Sequence, residues 1–175
     1  MQIQGAAMMG MRCKSRLSTA LAGTALLVLS LGPAAALAQI MPIESLSHFP
    51  RATLTITTRG RLDRFRVWIA DTIARQAQGL MFVRDLPRDE GMIFPMSPPE
   101  VAQFWMKNTY IPLDMLFVAP DGRIEKIIAH AKPFSLAVLS SGTPVEAVVE
   151  IRGGEARQLG ITVGSLVRWS PVKPK

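Results

Sequence analysis

Alternating apolar and polar positions dominate the chain after its first fifty residues and predict a domain built mainly from β-strands. Residues 53–58 and 64–69 both show a two-residue period, and the glycine turn at 59–61 predicts that they form an antiparallel pair. Two consecutive prolines predict a loop over 96–100, because proline cannot donate to a strand ladder. Other apolar or alternating runs predict six more short strands, at 91–94, 101–107, 113–119, 124–130, 145–151 and 166–169.

Two short helices are predicted between the strands. The first covers 73–78, has an N-cap residue in Thr72 and ends at Gly79. The second begins at the Gly153-Gly154 pair and runs through Leu159. Many short strands, two short helices and frequent glycine and proline turns predict an α+β fold that is mainly β. We expect a small closed or nearly closed β-barrel that carries the two helices.

The first 38 residues have the pattern of a signal peptide. Three cations at Arg12, Lys14 and Arg16 precede an uncharged apolar run over 17–31, and Ala36-Leu37-Ala38 then matches a small-residue cleavage site. The mature chain is therefore predicted to start at Gln39 and to be exported, either periplasmic or secreted. An uncleaved anchor is the alternative. No membrane span is predicted after cleavage.

The remaining chain divides into a flexible leader over 39–52, a single β-barrel domain over 53–170 and a disordered tail over 171–175. The only cysteine, Cys13, lies within the signal, so the mature domain has no disulfide. This excludes a cysteine nucleophile, a zinc–thiolate site and an iron–sulfur cluster.

Charge adds little to this picture. Three of the 20 basic residues lie in the signal, which leaves 17 against 13 acidic residues and a net charge of +4. The cations are dispersed and no RNA- or DNA-binding signature accompanies them, so no nucleic-acid partner is predicted. The two histidines lack zinc-site spacing, and no cofactor is predicted.

The stretch 104–114 carries the most varied chemistry of the chain. It places aromatic, thioether, ammonium, amide and carboxylate groups within eleven residues and bends at Pro112. Apolar walls with a few fixed polar groups are the usual form of a small-ligand site. The alternative is a corner held together by an ion pair and an Asx-type turn. Candidate ligand-binding residues are Arg75, Arg84, Phe104, Trp105, Met106, Lys107, Asn108 and Asp114.

Two carboxylates, Asp114 and Glu150, are weak catalytic candidates. Glu150 lies in an apolar strand, and a buried glutamate must be paired or have a raised pKa. Arg75 or Arg84 would be natural partners for it. A hydrolase of the glycosidase type needs two carboxyl groups facing each other across a cleft, and the sequence does not show such a pair.

Three methionines, Met81, Met92 and Met106, are weak candidates for a Cu(I) site, because soft thioethers select that ion. Core filling is the alternative, since methionine adapts well to irregular interiors. Their wide spacing along the chain gives no local ligand pattern.

Several segments carry a resemblance to a known family. Over roughly 65–169 the chain resembles the domain-of-unknown-function family 192, although Ser165 stands where many relatives carry aspartate. The matching segments are Gly79–Arg84, Gly91–Phe94, Phe104–Thr109, Ile111–Asp114, Asp121–Ile124, Val148–Ile151 and Gly160–Gly164. The resemblance implies a small β-rich domain, often exported or lipid-anchored, and implies no activity.

These observations favour a binding protein over an enzyme. The leading hypothesis is an exported domain that binds a small ligand, glycan or peptide in a pocket around Trp105–Asp114. A cell-envelope hydrolase that uses Asp114 and Glu150 is one alternative. A scaffold or accessory domain, in which the motif only determines the fold, is the other.

Overall fold

A computed structural model describes residues 43–172, and the predicted signal peptide and the last three residues of the predicted tail lie outside this range. The described chain forms a seven-stranded sheet with two short α-helices and one 3-10 helix. Its elements are the 3-10 helix Leu46–His48, β1 Arg51–Thr58, β2 Arg61–Ile69, α1 Ile73–Gln78, β3 Glu90–Phe104, β4 Leu113–Val118, β5 Ile124–Ala131, β6 Leu139–Arg152, α2 Glu155–Gln158 and β7 Leu166–Pro171. No helix of the described chain is long and apolar enough to cross a membrane.

The strands are ordered β5-β4-β6-β3-β2-β1-β7 in one sheet. Neighbours are antiparallel except for β2 and β3, which run parallel. Arg123, just before β5, forms an isolated bridge with Leu166 at the start of β7, and backbone hydrogen bonds such as Ile124 N–H to the Ser165 carbonyl, at 2.9 Å, lie beside it. The mainly β fold with two short helices is confirmed, but the predicted closure into a barrel is not, because the sheet is open in its strand order.

The structure has seven strands where eight were predicted, and the difference lies in β3. The two predicted strands and the proline loop between them form one strand, Glu90–Phe104. Its pairing with β6 is interrupted between Pro95 and Glu100, where the register shifts. An irregular stretch of this kind tolerates prolines because no ladder donor is needed there. The strand ends at Phe104, so Trp105 and Lys107 lie in the connection that follows.

The sheet buries apolar side chains on both faces, in two clusters. One cluster includes Val149 and Ile151 of β6. The other includes Val148 of β6 with Phe94 and Met92 of β3. Successive strand residues point to opposite faces, so this end of β6 supplies both clusters in alternation. A polar residue in this part of β6 is therefore buried, whichever face of the sheet its side chain points to.

α1 and the segment before β1 lie over the second cluster. Thr72 caps α1 by accepting the Arg75 backbone N–H at 3.2 Å. The Gln78 carboxamide bonds both the backbone N–H of Glu44, at 2.7 Å, and its carbonyl, at 2.8 Å. Phe49 is buried in the same cluster, and β1 begins at Arg51, within the segment predicted to be the leader. These contacts hold α1 as a wall above β3.

Candidate functional site

A cavity of about 470 Å³ lies between α1 and β3. Its floor consists of buried residues from four parts of the chain, among them Gln78 of α1, Phe94 of β3, Thr109 of the following connection and Glu150 of β6. Its mouth consists of exposed residues, namely Ile73, Gln76, Ala77, Glu100, Val101, Gln103, Trp105 and Lys107. We call this the α1–β3 cavity. An apolar floor with few polar groups is the form that small-ligand sites take.

Glu150 is the one ionisable side chain in the floor of the cavity. It pairs with Met92 on β3 and Met115 on β4, and it shares their face of the sheet. The residue is only 4% exposed. Among residues 43–172, no side chain or backbone group forms a hydrogen bond or ion pair with its carboxyl. Burial raises the pKa of Glu150 to about 8, because the charged form loses its hydration.

The other polar side chains of the floor are already bonded within the protein. The Gln78 carboxamide is occupied by the backbone of Glu44. The Thr109 hydroxyl donates to the Lys107 carbonyl at 3.2 Å. Among the described residues, Glu150 is therefore the polar group of the floor that a bound molecule would satisfy.

Aromatic side chains line the path from the floor to the mouth. Phe94 and Phe104 form an edge-to-face pair with ring centroids 4.9 Å apart. At the mouth, Trp105 is 52% exposed, and the Lys107 ammonium lies 5.6 Å from the centroid of its ring. Phe104, Trp105 and Lys107 are the predicted ligand-binding residues that the structure brings to the cavity, and Met81 also lines it.

Asp114 lies on the opposite face of the sheet. It pairs with Ile151, a member of the first cluster, and is fully buried. Its carboxylate accepts three backbone N–H groups, from His130 at 2.8 Å, Gly154 at 2.9 Å and Ala156 at 3.0 Å. These bonds join β5 to the start of α2, and Asp114 does not line the cavity. The structure therefore does not bring together the two predicted catalytic carboxylates.

The two predicted arginines are also outside the cavity. Arg75 is bound to Glu44 at 2.8 Å and to Asp71 at 2.7 Å. These hydrogen bonds lower the pKa of Glu44 and raise that of Arg75. The Arg84 guanidinium lies 4.5 Å from the ring centroid of Tyr110. Neither arginine pairs with Glu150, which was the partner expected from the sequence.

Met106 and Asn108 have structural positions. Met106 and Met92 are fully buried in the second cluster, where they fill space between strands. Asn108 has a positive φ of 55°, and its carbonyl accepts the Phe82 N–H at 2.9 Å. Asparagine tolerates this left-handed conformation better than most residues. No group of three or more His, Cys, Asp or Glu side chains within the described range is placed to hold a metal ion.

The sequence analysis missed the α1 wall of the cavity. Ile73, Gln76 and Ala77 all line it, and they are spaced three and four residues apart on one face of the helix. Ile73 is exposed and lies at the mouth of the cavity with Gln76 and Ala77. That helical spacing, together with an apolar residue on a short polar helix, was the available signal.

Comparisons with known proteins agree with this mainly β fold. The model of an uncharacterised family, DUF192, described as "Uncharacterized ACR", matches residues 54–169. A crystal structure of a protein of unknown function from Novosphingobium aromaticivorans is 43% identical, has a TM-score of 0.70, and covers 73% of this chain and 91% of its own. A Sinorhizobium meliloti protein, described as a candidate transcription regulator, is 36% identical with a TM-score of 0.68, covering 69% and 95%. No curated protein matches the chain.

Proposed function

Since the chain belongs to the uncharacterised DUF192 family, we propose from the site itself that it binds a small, largely apolar molecule in the α1–β3 cavity. The ligand enters past Trp105 and Lys107 and packs against Phe94 and Phe104. The observation that carries this proposal is the Glu150 carboxyl, which has no partner among the described residues and lies beside Phe94 and Leu80 in the floor of the cavity. Burial raises the pKa of this carboxyl because its charged form loses hydration, and a ligand that hydrogen-bonds to it would replace part of that hydration.

Binding fits the geometry better than hydrolysis. Asp114 and Glu150 lie on opposite faces of one sheet and cannot act on the same bond. Glu100 also lines the cavity, but it pairs with Val145, five residues from Glu150 on β6. Glu100 is exposed at the mouth whereas Glu150 is buried in the floor, so the two carboxyl groups are not arranged as an obvious facing pair. An apolar peptide end falls within the proposed ligand class.

The test is a fragment screen by ligand-observed NMR on the wild-type protein and two variants of α1. Ala77→Trp places a large ring in the mouth of the cavity, where Ala77 is exposed. Ala74→Trp is the matched control, because Ala74 is exposed on the same helix but does not line the cavity. We expect fragments that bind the wild type to be lost from Ala77→Trp and kept by Ala74→Trp. If no fragment shows this pattern, the proposed function is wrong.

We further propose that the protein acts after export, supported by the cationic, apolar and small-residue regions of residues 12–38. The test is a fusion of residues 1–60 to a reporter enzyme that is active only outside the cytoplasm. We expect activity from the fusion, a processed N-terminus at Gln39, and loss of activity when 17–31 is deleted. An active fusion that keeps its first 38 residues would support the anchor instead, and an inactive one would overturn export.

A further inference from the structure

We propose that the floor of the α1–β3 cavity binds the ammonium group of an amphiphilic organic cation, with the Glu150 carboxylate as its counter-ion. The inference rests on the proposed function, since it names the ligand class of the same cavity. The ligand would combine an alkylammonium group with an aromatic or aliphatic body. Its ammonium reaches Glu150 while its apolar part lies against Phe94 and Phe104.

The first step of the argument is that the protein supplies no charge to Glu150. The residue is 4% exposed, its carboxyl lines the cavity, and burial alone shifts its pKa, with no ion pair or hydrogen bond opposing the shift. A carboxylate that lacks a cation forms its strongest hydrogen bonds with a charged donor. A ligand ammonium provides both the missing charge and that donor, whereas a neutral ligand provides only a hydrogen bond.

The second step concerns the charges that face the cavity from each packed element. β3 contributes the Glu100 carboxylate, and the connection after β3 contributes the Lys107 ammonium, both at the exposed mouth. Arg75 of α1 is engaged by Glu44 and Asp71, so it does not compensate Glu150. β4 offers no titratable group on this face. The mouth charges cancel, and an ionised Glu150 leaves the cavity with one negative charge.

The third step is the shape of the walls. Phe94 and Phe104 present an edge-to-face pair beside the floor, and Trp105 presents an exposed indole at the mouth. Aromatic rings attract an organic cation through their faces and bury its hydrocarbon part. Lys107 already lies over the Trp105 ring, which indicates that this ring accepts a cation. The walls therefore suit an organic cation better than a hydrated metal ion.

The proposal couples binding to proton release. With the pKa of Glu150 near 8, the empty site is protonated at pH 6, and an ammonium ligand must displace that proton into solvent. The apparent Kd at pH 6 should exceed that at pH 9 by a factor on the order of 100. A lysine-like alkylammonium has a pKa of about 10, so it remains charged throughout this range.

The experiment compares phenethylamine with its neutral analogue 2-phenylethanol, by NMR titration of the purified protein at pH 6 and pH 9. Wild type, Glu150→Gln and Ala77→Trp are measured side by side. Glutamine keeps the volume and the hydrogen-bonding capacity of protonated Glu150 but cannot ionise. We expect phenethylamine to bind the wild type more tightly at pH 9 by tens of fold. We expect Glu150→Gln to abolish this pH dependence and the preference for phenethylamine over 2-phenylethanol.

Two results would overturn the inference in distinguishable ways. If 2-phenylethanol binds as well as phenethylamine at pH 9 and both are lost only in Ala77→Trp, the cavity binds ligands but not cations. The inference then fails and the proposed function stands. If neither compound binds, the cation inference fails, and the fragment screen against Ala77→Trp decides the proposed function separately.

Discussion

Asp114 on β4 and Glu150 on β6 are neighbours across one sheet, and both are buried carboxyl groups. Asp114 faces the first core cluster and accepts three backbone N–H groups at 2.8–3.0 Å. Glu150 faces the second cluster and the cavity, and no group of the described chain bonds to it. Asp114 pairs with Ile151, the residue next to Glu150. Neighbouring strand positions point to opposite faces, so the two acids have opposite environments.

This difference shows that burial of a carboxyl does not by itself indicate a site. The protein fully uses the oxygen atoms of Asp114 to join β5 to the start of α2, so that residue holds the fold together. Glu150 destabilises the fold unless it is protonated or meets a ligand. A buried group that the fold does not satisfy is the better candidate for function.

The largest expected effect is that of Asp114→Ala. The change removes the acceptor of three buried backbone N–H groups, and we expect it to lower the free energy of unfolding by about 5 kcal/mol. Urea denaturation measures this loss. Asp121→Ala is the control, since Asp121 is an exposed turn residue that accepts one N–H, from Arg123 at 2.9 Å. A loss below about 1 kcal/mol for Asp114→Ala would contradict its structural role.

Glu150→Gln should have the opposite sign and depend on pH. The folded-state pKa of Glu150, about 8, exceeds the unfolded value, so between these values the folded state binds more protons. Wild-type stability should therefore fall, relative to the variant, by up to about 1.4 kcal/mol per pH unit as pH rises through this window. Near pH 4 the two proteins should be equally stable. At pH 9 the variant should be more stable by up to roughly 5 kcal/mol, an upper figure that water in the cavity reduces.

Denaturation curves of both proteins at pH 4, 6 and 9 check this prediction. A wild type that is the more stable protein at pH 9 would indicate a partner for the ionised carboxylate, and the contrast with Asp114 would disappear.

Gly154→Ala tests the structural role of Asp114, because Gly154 supplies one of the backbone N–H groups that the Asp114 carboxylate accepts. Gly154 has a φ of 88°, and a Cβ there would lie 2.6 Å from Cε1 of His130. We expect a loss of about 2 kcal/mol in the free energy of unfolding. Gly160→Ala, at a φ of 66° with open space around it, isolates the cost of the positive φ and should lose about 1 kcal/mol. Equal losses for the two variants would show that His130 simply moves aside.

The smallest stability effect is expected for Lys107→Ala. Lys107 is exposed at the mouth of the cavity, and such substitutions usually change stability by less than about 0.5 kcal/mol. Thermal melts measure this, and fragments that bind at the mouth should show altered affinity with an unchanged Tm. A large drop in Tm would assign Lys107 to the fold and support the scaffold alternative.

Much of the fold follows from local sequence. The period-two runs predicted β1 and β2, and Thr72 with Gly79 predicted the bounds of α1. β3 was misjudged because its prolines disqualify a regular ladder, whereas the strand continues through an irregular stretch between Pro95 and Glu100.

The site was only partly predictable. Residue type predicted that Trp105 and Lys107 belong to the site, and the apolar context of Glu150 predicted that it is buried. The face of the sheet to which Asp114 points could not be predicted from the sequence, since it depends on the register of β4 against β6. The position of α1 over β3 depends on contacts with Glu44, far away in sequence.

The most direct test is an NMR titration of the Glu150 side-chain carboxyl carbon from pH 4 to pH 9, assigned with Glu150→Gln. An unpartnered carboxyl in the floor of the cavity should titrate with a pKa of about 8. A pKa below about 5 would show that Glu150 is hydrated or paired, and it would contradict the account of both the cavity and its ligand.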